Sequence, residues 1–161
     1  MGHTALNYDK NKVFLTPKGL EELKRELKEL VDVKRSEVVQ KIATARDMGD
    51  LSENAAYVSA REEQAFIEGR ISELEEIIKN AVVSSGTSSK GVVEVGCKIR
   101  VHVDGNEEEY CLVGAPEADP KVRKISYESP LGKALMGKKV GDKVEMEAPD
   151  GKLVYTILSV S

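Results

Sequence analysis

The sequence predicts an N-terminal antiparallel two-helix coiled-coil hairpin followed by a small antiparallel α+β domain. Three observations indicate this fold class. In the first half, two apolar stripes with helical spacing lie on either side of one glycine, Gly49. In residues 92–161, apolar and polar residues alternate between turn residues, which is typical of short strands. Between the two parts, residues 84–91 are mostly small and polar, and we interpret them as a linker.

The first helix is expected over about 17–46. Thr16 can cap it, and Pro17 suits the first helical position because no N–H is needed there. The apolar residues recur at intervals that place them on one face of a helix: Leu20, Leu23, Leu27, Leu30, Val31, Val38, Ile42 and Ala45. Between Val31 and Val38 this stripe shifts by part of a turn.

The second helix is expected over about 53–81 and has a cleaner pattern. Its seam alternates steps of three and four residues, as a coiled coil requires: Tyr57, Ala60, Gln64, Ile67, Ile71, Leu74 and Ile78. Gly49 is the natural reversal point, and Asp50 or Ser52 can cap the second helix. We therefore expect a hairpin over 15–83. Helices of roughly 30 residues are about 45 Å long, so the tip at 46–53 is expected to project into solvent.

Residues 92–161 are expected to form the second domain. The expected strands are 97–103, 107–113, 122–126, 143–148 and 152–160. The dipeptide Asp104-Gly105 is a hairpin turn signal between the first two strands. The segment Ser129–Gly137 predicts a short helix that is capped at its start and ended by glycine.

The composition excludes several classes of protein. The chain has 24 basic and 28 acidic residues, which excludes a generally basic nucleic-acid binder but not a local basic patch. No apolar run approaches the roughly 20 residues of a membrane helix, and the N-terminus has no apolar signal region. The two cysteines, Cys97 and Cys111, cannot supply a zinc site of cysteine ligands. These features predict a cytoplasmic protein with no membrane partner.

Candidate chemistry is concentrated at the hairpin turn, because the sequence shows no plausible Ser-His-Asp or Cys-His set and no glycine-rich phosphate loop. Asp50 and Glu53 are three residues apart, so a helical turn from Asp50 onwards would direct both carboxylates to one side. Two such oxygen ligands could hold one face of a Mg²⁺ ion, whose six-coordinate shell a second body must complete. Alternatively, one acid is simply a cap or a favourable charge at a helix N-terminus.

Two arginines flank the turn, Arg46 on the first helix and Arg61 on the second. They could contact phosphates. Surface arginines beside carboxylates more often form weak ion pairs, and the residues alone favour that interpretation.

Two long segments closely resemble the signature motifs of the bacterial Gre transcript cleavage factors. The first is Ala45–Tyr57, ARDMGDLSENAAY, followed by Ala60–Gln64, AREEQ, which is closer to the GreA type than to the GreB type. The second is Ile125–Lys138, ISYESPLGKALMGK, followed by Val140-Gly141-Asp142. The resemblance covers about 15–160. Two long motifs in the right order, in two different architectures, make it specific.

The resemblance implies a fold and a mechanism. Gre factors bind bacterial RNA polymerase through a C-terminal domain with an FKBP-like fold, and their coiled coil enters the secondary channel. Two tip acids, which correspond to Asp50 and Glu53, help to position a second Mg²⁺ and its attacking water. The polymerase then hydrolyses the extruded 3′ end of backtracked RNA, and elongation resumes. The protein is therefore expected to have no enzymatic activity and no cofactor of its own, since the Mg²⁺ belongs to the polymerase active site.

Further family sites carry over residue by residue. The basic patch thought to contact the extruded RNA corresponds to Arg46 and Arg61. The polymerase-docking segment corresponds to the loop and short helix at Ser129–Gly137. Its candidate contact residues are Ser129, Pro130, Leu131, Gly132 and Leu135. A monomer is expected.

Three alternative interpretations fit parts of the sequence. The first, an inhibitor that binds in the secondary channel of the polymerase, would share the whole architecture. The inhibitory homologues carry extra tip acids, and Asp47 adds one here, although the Gly-Asp-Leu-Xaa-Glu-Asn pattern of the active factors is kept. A prolyl isomerase is disfavoured because such pockets are apolar and aromatic, and both Phe14 and Phe66 lie outside the second domain. A structural coiled-coil dimer is disfavoured because the turn at Gly49 lets the stripes pair within one chain.

Overall fold

A computed structural model of the protein describes residues 11–50, 54–84, 86 and 91–161. The chain divides into two compact units. The helical unit comprises Glu21–Asn80, and the sheet unit comprises the beginning of the chain up to Leu20 together with Ala81–Ser161. The first helix begins in the sheet unit and continues in the helical unit.

Two long helical segments run antiparallel in the helical unit. The first consists of α1 (Pro17–Glu29), a π-helical turn (Leu30–Lys34) and α2 (Arg35–Asp47), and the second is α3 (Ala55–Lys79). Glu29 and Arg35 both have right-handed helical backbone angles, so the first segment is continuous through the π turn. The prediction of a long helical hairpin is confirmed. None of the helices in the described ranges combines the length and the apolarity that crossing a bilayer requires.

The π turn accounts for the shift of the apolar stripe. Leu30 and Val38 are eight residues apart, one more than the seven that two turns of a coiled-coil seam take. A π turn absorbs the extra residue by forming an i→i+5 hydrogen bond, and here the Arg35 N–H donates to the Leu30 carbonyl. As a result, Val38 forms one buried cluster with Ile67 and Ile71, and Leu30 packs against that cluster.

Burial along the hairpin follows the heptad prediction. The buried seam residues are Leu23, Val38, Ile42, Ala45, Ala60, Ile67, Ile71 and Leu74. Ion pairs between exposed or partly exposed side chains lie beside the seam: Arg35–Glu68, Lys41–Glu63 and Arg70–Glu26. The hydrogen bond from Arg35 holds the pKa of Glu68 below its ordinary value. Since exposed ion pairs add little to stability, the apolar seam supplies most of the stabilisation.

The sheet unit contains a two-stranded pair and a separate five-stranded sheet. The pair consists of β1 (Val13–Leu15) and β2 (Ala81–Val83), which run parallel. The large sheet consists of β3 (Lys98–Val103), β4 (Asn106–Val113), β5 (Lys124–Ser126), β6 (Lys143–Ala148) and β7 (Gly151–Val160), in the spatial order β5-β4-β3-β7-β6. Helix α4 (Pro130–Leu135) contributes Leu135 to the core, which also contains Ile99, Leu112 and Ile157.

The large sheet is mixed, so the prediction of an antiparallel sheet is wrong at one strand. β3, β4, β6 and β7 pair antiparallel, but β5 runs parallel to β4. Two short 3-10 turns in the connection 114–123 bring Lys124 back opposite Cys111. A tight hairpin would have reversed the strand direction, whereas a longer crossover permits parallel pairing. The strand expected from 122 begins only at Lys124, because Val122 belongs to the second of these turns.

The turn predicted between β3 and β4 is confirmed. Asp104 and Gly105 have φ angles of 50° and 79°, as a type I′ hairpin turn requires at both central positions. Ile99 and Val101 are fully buried, while Arg100 and His102 between and beyond them are exposed. This alternation confirms the half-buried strand that the pattern predicts.

The start of α1 is held to the sheet unit by the carboxylate of Glu117, which no sequence pattern singles out. The Thr16 N–H donates to Glu117 Oε2 at 3.0 Å, and the Thr16 hydroxyl donates to Glu117 Oε1. The Thr16 oxygen in turn accepts from the Gly19 N–H at 3.0 Å, which confirms Thr16 as the cap. A Cβ at Gly19 would lie 2.0 Å from the Glu117 carboxyl group. Glycine therefore leaves the space that this carboxylate occupies.

Gly19→Ala should lower the free energy of unfolding by about 1–2 kcal/mol, because it displaces Glu117 and breaks its hydrogen bonds to Thr16. In a Glu117→Ala background the same change should be neutral or stabilising, since alanine favours a helix over glycine by up to about 1 kcal/mol. Urea unfolding of the wild type, both single variants and the double variant measures this coupling. Equal effects of Gly19→Ala in both backgrounds would show that the carboxylate does not hold the helix start.

Candidate functional site

The hairpin turn begins where α2 ends at Asp47. The Gly49 N–H donates to the Arg46 carbonyl at 3.4 Å, and Gly49 has a φ angle of 124°. Because residues with a side chain rarely adopt this angle, this position of the turn favours glycine. Asp50 follows directly, is exposed and lies outside both helices.

Helix α3 begins later than predicted. Its first residue is Ala55, and its cap is Asn54, whose Oδ1 accepts from the Tyr57 N–H at 3.1 Å. The expectation that Asp50 caps this helix is wrong, because Asn54 occupies the cap position. Ser52, the other expected cap, lies outside the described residues.

The predicted acidic site is only partly within the described residues. Glu53 lies outside them. Asp50 lies in the turn before α3, which starts at Ala55. Asp47, exposed at the end of α2, adds a further acid to the tip. The role of Asp50 and Glu53 as shared Mg²⁺ ligands stays a prediction.

Arg46 and Arg61 are both exposed beside the turn. The guanidinium of Arg46 lies 6.0 Å from the centre of the Tyr57 ring, within the range of a cation–π interaction. Arg61 donates through Nη1 to Gln64 Oε1 at 2.8 Å. Neither contact neutralises a guanidinium charge, so both groups could hold phosphate oxygens.

Asn54 makes a second hydrogen bond that sequence reasoning missed. Its Nδ2 donates to the Ala45 carbonyl at 2.6 Å, so the side chain connects the end of α2 with the start of α3. An asparagine directly before a helical run is a capping signal. Asp50 and Ser52 give the same signal, however, and the bond to Ala45 has no sequence signal at all.

The predicted docking segment, Ser129–Gly137, contains α4. Ser129 Oγ accepts from the Gly132 N–H at 3.1 Å and donates to the Ser126 carbonyl at 2.6 Å. Ser129 therefore caps α4 and ties it to β5. Pro130 occupies the first helical position, and Gly137, with a φ angle of 74°, follows the helix end. The prediction of a short capped helix is confirmed.

The five candidate docking residues differ in accessibility. Pro130 is exposed and Leu131 is half-buried, whereas Gly132 and Leu135 are buried. A Cβ at Gly132 would lie 1.9 Å from the Ser126 carbonyl oxygen, so α4 packs directly on the backbone at the end of β5. Gly132 and Leu135 thus hold the helix in place, and Pro130 and Leu131 present apolar surface.

Tyr127, which precedes the docking segment, is buried and engaged by the N-terminal strand. Its hydroxyl accepts from the Phe14 N–H at 3.3 Å, and the two rings meet edge to face with their centres 5.8 Å apart. Burial raises the pKa of Tyr127 above its ordinary value. The ring therefore anchors β1 on the sheet unit.

Comparisons with known proteins cover both units. Residues 13–83 match the family model described as transcription elongation factor, N-terminal, and residues 88–161 match the model of the GreA/GreB C-terminal domain. Transcription elongation factor GreA of Thermoanaerobacter pseudethanolicus is 52% identical over 151 residues, which cover 92% of this chain and 96% of that protein. GreA of Bacillus subtilis is 46% identical over 153 residues, which cover 93% and 98%.

Among solved structures, the chain is similar to GreA factor homolog 1 of Thermus thermophilus. The identity is 28%, the alignment covers 93% of this chain and 99% of that chain, and the TM-score is 0.43. The family assignment rests on the sequence matches instead. Because the two family models together span most of the chain, this protein belongs to the GreA/GreB family of transcription elongation factors, as a GreA-type member.

Proposed function

We propose that this protein binds RNA polymerase, inserts the tip of its hairpin into the secondary channel and stimulates hydrolysis of backtracked RNA. The observation that carries the proposal is an exposed carboxylate, Asp50, at the reversal of a long antiparallel hairpin. Family membership supports action on RNA polymerase during transcription elongation. The tip supplies the chemistry that such an action needs.

At the tip, Asp50 and Glu53 would supply carboxylate oxygens to a Mg²⁺ ion that is shared with the polymerase. The exposed Asp50 carboxylate fits this role, because Mg²⁺ prefers such oxygens. Two acids cannot fill an octahedral shell, so the polymerase and water complete it. When bound, the ion activates water and stabilises charge on the reacting phosphate oxygens. Asp50 itself contributes a negative charge at the turn.

On this proposal the protein has no hydrolytic activity and no cofactor of its own. Its acids are too few to bind the ion alone, and the RNA to be cut is held by the polymerase. The protein completes an active site that belongs to its partner. Purified protein with RNA and Mg²⁺ should therefore release no fragment.

Arg46 and Arg61 are proposed to contact phosphates at the extruded RNA 3′ end. Both arginines are exposed beside the turn, where Arg46 contacts an aromatic ring and Arg61 a neutral amide. A guanidinium donates two parallel hydrogen bonds to a phosphate. The contact would hold the RNA near the acidic tip.

We assign the sheet unit an FKBP-like fold and propose that it docks on the polymerase through Pro130 and Leu131. The mixed five-stranded sheet with one short helix supports this assignment. Prolyl isomerase activity is not proposed. Such a site needs an open, apolar and aromatic pocket, whereas Tyr127 is buried and bonded to the Phe14 N–H.

We propose that the protein acts as a monomer. The apolar seam residues of the hairpin, such as Ile67 and Leu74, are buried within one chain. No second copy is needed to cover them.

A transcript cleavage assay tests the proposed function. The cognate RNA polymerase is stalled so that it backtracks, the RNA is labelled at its 5′ end, and the protein is added with Mg²⁺. Shortened RNA that resumes elongation is the expected result, and polymerase alone is the control. Slower elongation without shortening would instead support the alternative, a channel-binding inhibitor, and Asp47 would then be the first residue to change.

A further inference from the structure

One side chain, Asn54, joins the ends of both helices at the tip. Its Oδ1 accepts from the Tyr57 N–H at 3.1 Å in the first turn of α3. Its Nδ2 donates to the Ala45 carbonyl at 2.6 Å in the last turn of α2. The same carbonyl accepts from the Met48 N–H at 3.2 Å. The Asn54 amide therefore links the last turn of α2 to the first turn of α3.

Helix capping alone does not explain this arrangement. Serine, threonine or aspartate at the cap position would also accept from the Tyr57 N–H. The bond to Ala45 additionally requires a donor, which an ionised carboxylate does not have. An asparagine amide carries both groups in one plane. Asn54 thus does more than begin α3.

A second contact crosses between the helices at the same level. Arg46 follows Ala45 directly, and its guanidinium lies 6.0 Å from the ring centre of Tyr57. Tyr57 is also the residue whose N–H bonds to Asn54. Two consecutive residues of α2 are therefore connected to the first turn of α3. Separation of the helix ends would break both contacts.

We infer that Asn54 is a positioning residue for the tip, because its amide clamps the ends of α2 and α3 and so fixes Asp50 between them. The inference rests on the proposed function, in which Asp50 acts inside the polymerase. A loop held at both ends has less conformational freedom than one held at its start alone. Displacement of a reacting group by about 1 Å can lower a rate by about 100-fold. Asn54 itself touches no reactant.

Asn54→Asp separates the clamp from the cap, since aspartate keeps the acceptor for Tyr57 and removes the donor to Ala45. We expect the maximal rate of stimulated RNA cleavage at saturating protein to fall at least about tenfold. The protein concentration that gives half-maximal stimulation should stay within about twofold. Asn54→Ala, which adds no charge, should lose at least as much activity.

Asn80→Asp is the matched control. Asn80 Nδ2 also donates to a helix carbonyl, that of Glu76 at 3.0 Å, but at the opposite end of α3. The substitution makes the same chemical change but removes hydrogen bonds within one helix, to the carbonyl and the carboxylate of Glu76, and none between the helices. Both the maximal rate and the half-maximal concentration should stay at their wild-type values.

Amide hydrogen exchange of the free protein gives a readout that does not depend on the polymerase. Asn54→Asp should speed exchange at Met48 and Gly49, while the Tyr57 N–H stays protected. Three results would each overturn the inference. One is unchanged exchange at 48–49 in Asn54→Asp, and another is a maximal cleavage rate of that variant within about twofold of wild type. The third is a loss of cleavage activity in Asn54→Asp that Asn54→Ala does not show. If the wild-type protein fails to stimulate cleavage, the proposed function is wrong, and the exchange data alone decide whether the clamp exists.

Discussion

Replacing Asp50 with asparagine should reduce stimulated RNA cleavage at least about 100-fold, while polymerase binding stays within about twofold. Asparagine keeps the size of the side chain but removes its charge, and Mg²⁺ is bound in such sites chiefly through carboxylates. Asp50 is exposed and lies outside both helices, so the hairpin should fold as before. Shortening of 5′-labelled RNA in stalled complexes measures the first quantity, and competition for the polymerase measures the second.

Asp47→Asn is the matched control for this change. It removes the same charge from an exposed acid at the end of α2. Cleavage should change less than about threefold. Equal losses in both variants would mean that the total negative charge of the tip matters rather than Asp50. Full stimulation by Asp50→Asn would overturn the assigned mechanism.

Leu131→Ala should weaken polymerase binding about tenfold, and high protein concentrations should restore maximal cleavage. Full burial of a leucine side chain contributes about 1.5–3 kcal/mol, and 1.4 kcal/mol corresponds to a factor of about ten in affinity. Leu131 is half-buried beside the exposed Pro130, on a helix that the buried Leu135 holds in place. Titration of the protein in the cleavage assay measures the half-maximal concentration.

Leu158→Ala controls for the loss of a leucine elsewhere in the sheet unit. Leu158 is 37% exposed and lies on β7, outside the docking segment. This variant should bind the polymerase as the wild type does. Thermal unfolding should show that both variants remain folded. Equal binding of the two leucine variants would exclude Leu131 from the docking surface.

Much of the local structure was predictable, because it depends on residues that are close in the sequence. The heptad pattern located the buried Ile67 and Ile71 of α3. The dipeptide Asp104-Gly105 located the turn between β3 and β4. The shift of the stripe before Val38 was also visible. The π turn that accommodates this shift could not be predicted locally, because it depends on the packing of both helices along one seam.

Other features were not predictable from local patterns. Asp50, Ser52 and Asn54 are all good caps, and spacing cannot choose among them. Asn54 occupies the cap position, where its amide also reaches Ala45 on the other helix. The parallel direction of β5 depends on the path of the connection 114–123, which the alternation within the strand does not encode.

The sequence by itself determined a helical hairpin followed by a sheet domain, the place of the chain reversal at Gly49 and the family. These features follow from periodicity, turn residues and long motifs, all of which involve residues that are close in the sequence. Only the tertiary structure decided that Leu131 is partly accessible while Leu135 is buried, and that Thr16 meets Glu117, 101 residues away. Burial and hydrogen bonding depend on which distant segments pack against a residue, and a local pattern does not contain those segments.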